Sequence, residues 1–439
     1  MNIRAAHFRK AVFAATAALL LGFVFPLAGQ SAKKVTLTIE CSQTFKGSGT
    51  STNSFFNQAN IDAFQAKYPN IKVEALLIPD AQTTQTLQTK LATGEPSDLI
   101  VYNKVSAENE LDAANNMIDL SGEPWFTRLR QPELLKSIDG RAYMFYMAMP
   151  TSGVGIVYNK DVFAKYGISI PTTYNEFIKV CETLKAKKVT PLYGPFKDVW
   201  TFQIWPTTLW GTYGAKKDAK LFANLNSGKV KWSSVPELTD LLARADNLVK
   251  KGYFQKSCLS DDYNGAPAAM SSGKYAMFIM GDWFVSDMAT KSPKTNLSLF
   301  PIPGYDDPAL NVIDQGQIGG CFMIPKKAKH IDEAKLFLDF ISQPDQIARD
   351  QAVPSMAFLP NFKDVPDGKL LPVNQMIYDN YVKTGRTTTE MNAYVRVDLN
   401  DLWKYYQDMI GGVKTPKDVL AAWDGKFAEL MKAKGQPGF

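Results

Sequence analysis

Short apolar runs separated by amphipathic stretches succeed one another from residue 35 onward, and this alternation limits the fold more than any other feature. Residues 35–39 (Val-Thr-Leu-Thr-Ile) alternate apolar and polar side chains with period two and predict a strand. A helix is expected near 55–67, after which Tyr68, Pro69 and Asn70 turn the chain into a second alternating strand at 71–75. A further helix through Leu87 and Leu91 ends at Gly94, where a left-handed residue closes the last turn. Residues 97–102 then read as a fully buried strand. Strands that alternate with helices run in the same direction and pack as a largely parallel sheet, so the expected class is α/β.

Later segments give the clearest helices. Thr173 and Glu176 stand at capping-box spacing, and Phe177, Val180, Cys181 and Leu184 follow at i, i+3, i+4 and i+7. From Pro236 to Lys251, Leu238, Leu241, Leu242, Ala245, Leu248 and Val249 share one face, and Gly252 stops the helix. A third helix takes Asp332 as its N-cap and buries Ala334, Phe337, Leu338 and Ile341. A chain of 439 residues exceeds the roughly 250–300 that one core organises, so two domains are expected. Phe, Tyr and Trp make up 12% of the residues, more ring surface than packing alone asks for, which hints at a ligand that favours ring faces.

The N-terminus carries an export signal rather than part of the fold. Arg4, Arg9 and Lys10 form a basic head, residues 11–25 an uncharged apolar run, and residues 26–32 an exit of mostly small side chains. The run is shorter than the roughly 20 apolar residues a bilayer-spanning helix needs. Residues 1–32 are therefore expected to be a signal peptide cleaved near 28–32, with the mature protein periplasmic. No Cys stands at the exit, the nearest being Cys41, so a lipid anchor is not expected. Loss of the three basic residues lowers the formal charge from +6 to about +3. Charge is interspersed, and nucleic-acid binding is not indicated. The mature chain keeps Cys41, Cys181, Cys258 and Cys321 in a compartment that permits disulfides, with pairing and buried free thiols both open.

Catalytic constellations are sparse. His7 leaves with the signal, so His330 is the sole imidazole, which leaves a hydrolase triad or a His-based metal site almost nothing to build with. No phosphate-binding glycine motif occurs. The paired carboxylates Asp261-Asp262 and Asp306-Asp307 are the candidates for a secreted carbohydrate-active enzyme, with turn solvation as the plainer reading. Tyr405-Tyr406 is a candidate for ferric iron as phenolates, making an iron or anion receptor the alternative binding function, with packing as the plainer role. No cofactor is implied.

Several phrases resemble, in order, the bacterial solute-binding proteins of ABC importers, in particular the carbohydrate-binding group that includes maltodextrin-binding proteins. They are Phe64 to Val73 with its Tyr68-Pro69 turn; Leu91-Ala92-Thr93-Gly94-Glu95-Pro96-Ser97-Asp98-Leu99; and Gly155-Ile156-Val157-Tyr158-Asn159-Lys160-Asp161-Val162-Phe163, running on through Tyr166-Gly167 to Pro171. Gly273 to Trp283 and Gly319-Gly320-Cys321-Phe322-Met323-Ile324-Pro325-Lys326 complete the set. Ser97 departs from the pattern by separating Pro96 from Asp98. The resemblance implies a two-lobed periplasmic binding protein fold, with hinge-connected lobes and the ligand cleft between them. By analogy the lobes are 33–150 plus 300–345 and 151–299 plus 346–439, with crossings near Pro150, Phe300 and Gln346. It also implies a monomeric, non-enzymatic carrier of a sugar or oligosaccharide that hands its ligand to a membrane permease and ATPase.

A sugar presents apolar C–H faces and a ring of hydroxyls, so its site needs aromatic planes flanked by amides, carboxylates and guanidinium groups. Trp283, after Gly281-Asp282, matches the family position where a ring stacks on sugar, and Asp282 is placed to accept hydroxyls; a core role for Trp283 is the alternative. Trp200, Trp205 and Trp210 recur every five residues, which suits neither one helical face nor strand alternation, so at least one is expected in the cleft; Trp205 is the choice, against packing. Loops after strands offer Ser42, Gln43, Tyr102 and Asn103 as polar partners. Gly319 and Gly320 permit close backbone approach, or merely bend the chain, and Arg396 is a clamp from the second lobe or a surface ion pair.

Overall fold

The computed structural model describes residues 34–42, 56–79, 82–137, 139–316, 318–352, 358–397, 399, 402–436 and 438–439. The export signal at 1–32 and Gln43 lie outside the described residues.

Ten strands occur among the described residues: β1 (Val35–Ser42), β2 (Ile71–Ile78), β3 (Leu99–Tyr102), β4 (Val154–Asn159), β5 (Thr190–Tyr193), β6 (Tyr275–Gly281), β7 (Leu297–Phe300), β8 (Ile313–Asp314), β9 (Cys321–Met323) and β10 (Thr387–Thr388). They form two sheets. The first has the order β2-β1-β3-β9, with β1 parallel to β2 and β3 while β9 returns antiparallel on β3. The second runs β10-β8-β4-β6-β5, with β7 also on β4, and mixes parallel β5–β6 with antiparallel β4–β6. The expected strand at 71–75 extends to Ile78 because Leu77 and Ile78 continue the pairing with Cys41 and Ser42.

Local chemistry explains the helices. In Tyr174–Ala186 the Thr173 hydroxyl accepts the Glu176 N–H, while the Glu176 carboxylate reaches one residue further back, to the Thr172 N–H and hydroxyl. Phe177, Cys181 and Leu184 are buried on its inner face. Leu238, Leu241, Leu242, Ala245 and Leu248 do the same in Pro236–Lys250. The helix expected to start at an Asp332 cap begins two residues earlier, as Ile331–Ile341 capped at His330, so Asp332 lies in its first turn. Asp98 holds that end, accepting the Lys329 and His330 N–H groups and facing the His330 ring at 3.2 Å.

Each sheet has its own core, and core membership fixes where the chain passes between them. Ala148 belongs to the first core and Val154 to the second; Ile313 to the second and Phe322 to the first; Val365 to the first and Val373 to the second. The passages are therefore residues 149–153, 315–320 and 366–371. Pro150 lies within the first of these, while Phe300 and Gln346 lie upstream of the other two. Phe300 and Ile302 stay in the second core through β7, and Ile347, Phe358 and Phe362 stay in the first. Gly316 and Gly320, with φ of 63° and 71°, bracket the middle passage in the left-handed region that glycine adopts without strain.

Candidate functional site

The parallel strands β5 and β6 both deliver an aromatic side chain just beyond their C-terminal ends, where open α/β sheets hold ligands. After β5 the chain enters the helix Val199–Lys216, whose second residue, Trp200, is 38% exposed. After β6 it enters Asp282–Lys291, and Gly281 pairs with Val154, so Trp283 stands beside the first passage between the lobes. Trp283 is half-buried, and its ring lies over Gly281 so closely that a Cβ there would sit 1.9 Å from it. Tyr263 joins the two. Its ring is 5.2 Å from Trp200, its hydroxyl lies near the Trp283 indole, and its N–H is anchored by the Asp198 carboxylate at 2.7 Å. Burial, with Asp287 nearby, drives its phenol upward, so the neutral hydroxyl is the form present. Trp200, Tyr263 and Trp283 thus make one aromatic wall on the second lobe.

Trp205, expected in the cleft, is instead a core residue. It is fully buried, its indole N–H donates to the Leu241 carbonyl at 3.0 Å, and its ring is 6.4 Å from Phe177. Trp210 is buried likewise, donating to the Leu238 carbonyl. Five residues turn a helix by about 140°, so the three tryptophans point three ways, and it is Trp200 at the exposed first turn that looks outward.

Asp282 is also corrected. It is 1% exposed and its carboxylate is already engaged, accepting the Gly153 N–H at 2.9 Å and the Asn374 amide. Burial pushes its carboxyl up to about 6, opposed by those hydrogen bonds. The Asn374 amide also donates to the Thr151 carbonyl at 3.2 Å, so Asp282 and Asn374 fasten the first passage to the second lobe. A second carboxylate does the same for the middle passage. Asp314 accepts the Gly316 N–H at 2.8 Å and the Thr208 hydroxyl at 2.6 Å. Glu390, beside it, is raised by burial and then by the Asp314 charge.

On the first lobe, the Tyr102 hydroxyl is committed to the Thr84 hydroxyl at 2.6 Å and the Glu110 carboxylate at 2.7 Å, which ties down a predicted ligand partner. Asn103 caps the helix Lys104–Glu110, is half-buried, and its amide makes no hydrogen bond to a described residue. Ser42 is buried at the end of β1. Gly319 and Gly320 lie in the middle passage, where the Ile318 carbonyl accepts the Lys104 N–H at 2.8 Å beside Asn103. Arg396 forms no ion pair among the described residues: it is exposed and donates to the Gln436 side chain at 3.1 Å.

Trp283, Asn103, Gly319 and Gly320 therefore flank passages between the lobes, whereas Trp205, Asp282 and Arg396 do not offer free groups there. Sequence reasoning missed Tyr263, Asn374, Asp314 and Glu390; only an Asp-Tyr-Asn-Gly turn at 262–265 marked the first, and nothing local marked the others. The two alternative chemistries find no support in geometry. Tyr406 is fully buried against Trp403 and Trp423, and burial drives its phenol far from the phenolate that iron requires. Asp261 accepts Ser257 and Gln255, Asp262 pairs with Lys197 and holds the Gly265 N–H, Asp306 pairs with Arg244, and Asp307 caps Ala309. All four cysteines are buried, and none is in a disulfide. Among the described residues no three His, Cys, Asp or Glu side chains cluster as a metal site, and no helix is long and apolar enough to cross a membrane.

Two α/β lobes joined by three passages give the chain the two-domain fold of solved solute-binding proteins. A sequence profile of the bacterial extracellular solute-binding proteins matches residues 46–348, and the chain belongs to that family. It is 26% identical over 306 residues to the Multiple sugar-binding protein of Streptococcus mutans, covering 66% of this chain and 71% of that one. Among solved structures, a chitin oligosaccharide binding protein superposes with a TM-score of 0.73 at 21% identity, over 91% of this chain and 99% of the other. The solute-binding protein RafE in complex with raffinose gives 0.72 at 21%, over 88% and 98%.

Proposed function

We propose that this protein is the sugar-binding component of an ABC importer, taking a sugar or oligosaccharide into the cleft between its lobes and handing it on unchanged to a membrane permease and ATPase. The observation that carries the reading is the wall of Trp200, Tyr263 and Trp283 at the ends of adjacent strands beside the first passage. Ring faces stack on the C–H faces of pyranoses, and a hydroxyl-bearing Tyr within the wall adds a polar handle. Two rings, Trp200 and Trp283, spaced by Tyr263 favour an oligosaccharide over a single sugar. The names of the relatives, a multiple sugar-binding protein and a raffinose complex, support the same ligand class. The lobes close by bending at residues 149–153, 315–320 and 366–371. Residues 1–32 direct export, and the mature protein works as a periplasmic monomer without a lipid anchor or cofactor.

Calorimetric titration with raffinose, stachyose, chitin oligosaccharides and maltodextrins tests this. Saturable binding of at least one, with the ligand recovered intact, is expected. Absence of binding across the panel, or release of cleavage products, would overturn it.

A further inference from the structure

Buried acceptors without donors are rare in folded proteins and call for a cause. Two of those in this chain, Glu390 Oε1 and Asn392 Oδ1, are near neighbours in one loop. Among the described residues the others with an oxygen acceptor, Gln346 and Tyr406, sit apart from each other in the first and second lobes. The loop carrying Glu390 and Asn392 leaves β10 and packs on the helix Val199–Lys216, where a Cβ on Gly211 would stand 2.5 Å from the Thr389 carbonyl and 3.1 Å from Glu390. Its far end meets the first lobe: the Asn109 amide donates to the Val395 carbonyl at 3.0 Å and lies 3.5 Å from the Asn392 carbonyl. Asp314, which anchors the middle passage, is close enough for its charge to act on Glu390. Asn392 lies close enough to Glu390 to favour its charged form, while Glu390 Oε1 and Asn392 Oδ1 are both buried without a hydrogen-bond partner.

Removed from water and given no donor, both oxygens are held at a cost in the ligand-free protein. A ligand with hydroxyl hydrogens to give would relieve that cost only while the lobes are together, which is the differential interaction that moves an open–closed equilibrium. We propose that Glu390 and Asn392 are the polar receptors of the site on the second lobe, Glu390 Oε1 and Asn392 Oδ1 accepting a pair of hydroxyl hydrogens from the bound sugar, so that the cleft closes fully only over a polyol. This rests on the sugar-binding reading above and adds to it the residues that read hydroxyls, opposite in character to the aromatic wall that reads ring faces.

The test titrates the tightest sugar of the panel into wild type, Glu390→Leu, Asn392→Ala and Glu390→Gln, with the melting temperature of each ligand-free protein measured alongside. Glu390→Leu and Asn392→Ala are expected to bind about tenfold or more weakly while melting close to wild type. Glu390→Gln, which keeps an oxygen in place, is expected to recover most of the loss. Wild-type affinity in both truncations would overturn the assignment while leaving the sugar-binding reading standing. So would a loss in Glu390→Gln as large as in Glu390→Leu, or a loss accompanied by a collapse in melting temperature, because either marks a structural role. A wild type that binds nothing in the panel would instead fail at the reading on which this rests.

Discussion

Trp283 carries two burdens at once, since its ring covers Gly281 and also forms one end of the aromatic wall. Half-burial divides those burdens unequally. Removal of a fully buried Trp costs about 3–5 kcal/mol of stability, whereas truncation of an aromatic anchor costs about 2 kcal/mol or more of binding. Trp283→Ala is therefore expected to lose about thirtyfold in sugar affinity, measured by calorimetry, with a drop in melting temperature smaller than a core tryptophan would give. Asp282 next to it predicts a pH effect. An acid whose folded pKa is raised, here from 3.8 to about 6, binds its proton more tightly in the folded state. The stability this proton supplies is fully present below the unfolded pKa and is lost as pH rises through the folded one. Thermal melts from pH 4 to pH 7 should show wild type losing stability relative to Asp282→Asn across that window, by up to about 3 kcal/mol. A constant difference between the two proteins would contradict the raised pKa.

One helix separates what a sequence can and cannot disclose. Val199–Lys216 places Trp200 at the solvent and Trp205 in the core, and both are aromatic residues in an apolar stretch. The five-residue spacing correctly predicts that the tryptophans diverge, yet it cannot tell which one faces outward, because that depends on where Pro236–Lys250 packs and on the Leu241 carbonyl that receives the Trp205 indole. By contrast Tyr174–Ala186 was legible from its cap and its 3.6-residue period, which are local. The displaced passages have a similar origin. β8 is only two residues long, and residues 301–312 stay with the second lobe with no more regular structure than a short 3-10 helix at Pro308–Leu310, so no pattern announces where the chain departs. Likewise the Asp282–Gly153 and Asp314–Gly316 anchors join an acid to an amide in ways visible only once the sheets are assembled. The contrast within the helix is testable. Trp205→Ala is expected to cost about 3–5 kcal/mol in folding while the folded fraction binds sugar normally. Trp200→Ala is expected to weaken binding with almost no change in melting temperature. The reverse pattern would exchange their roles.

Across the molecule, the two lobes meet at a clasp remote from the aromatic wall in sequence. The Lys434 ammonium donates to the Asn109 carbonyl of the first lobe and lies 3.5 Å from the Arg396 carbonyl of the second, while the Asn109 side chain reaches back to the Val395 carbonyl. These bonds exist only with the lobes together, so they weight the closed state without touching a ligand. A hydrogen bond of this kind contributes about 0.5–1.5 kcal/mol net, and a residue that acts through the open–closed equilibrium scales the affinity of every ligand by the same factor. Lys434→Met is therefore expected to weaken two different sugars equally, by about threefold to tenfold, and to enlarge the radius of gyration of the ligand-free protein in small-angle scattering. Wall and loop residues are expected to behave differently: as the proposed contacts to particular parts of a sugar, Trp200, Trp283, Glu390 and Asn392 should reorder the preference among sugars when substituted. A loss in Lys434→Met that depends on which sugar is titrated would place this lysine in the site itself, and no change in either affinity or radius would mean that the clasp does not hold the lobes.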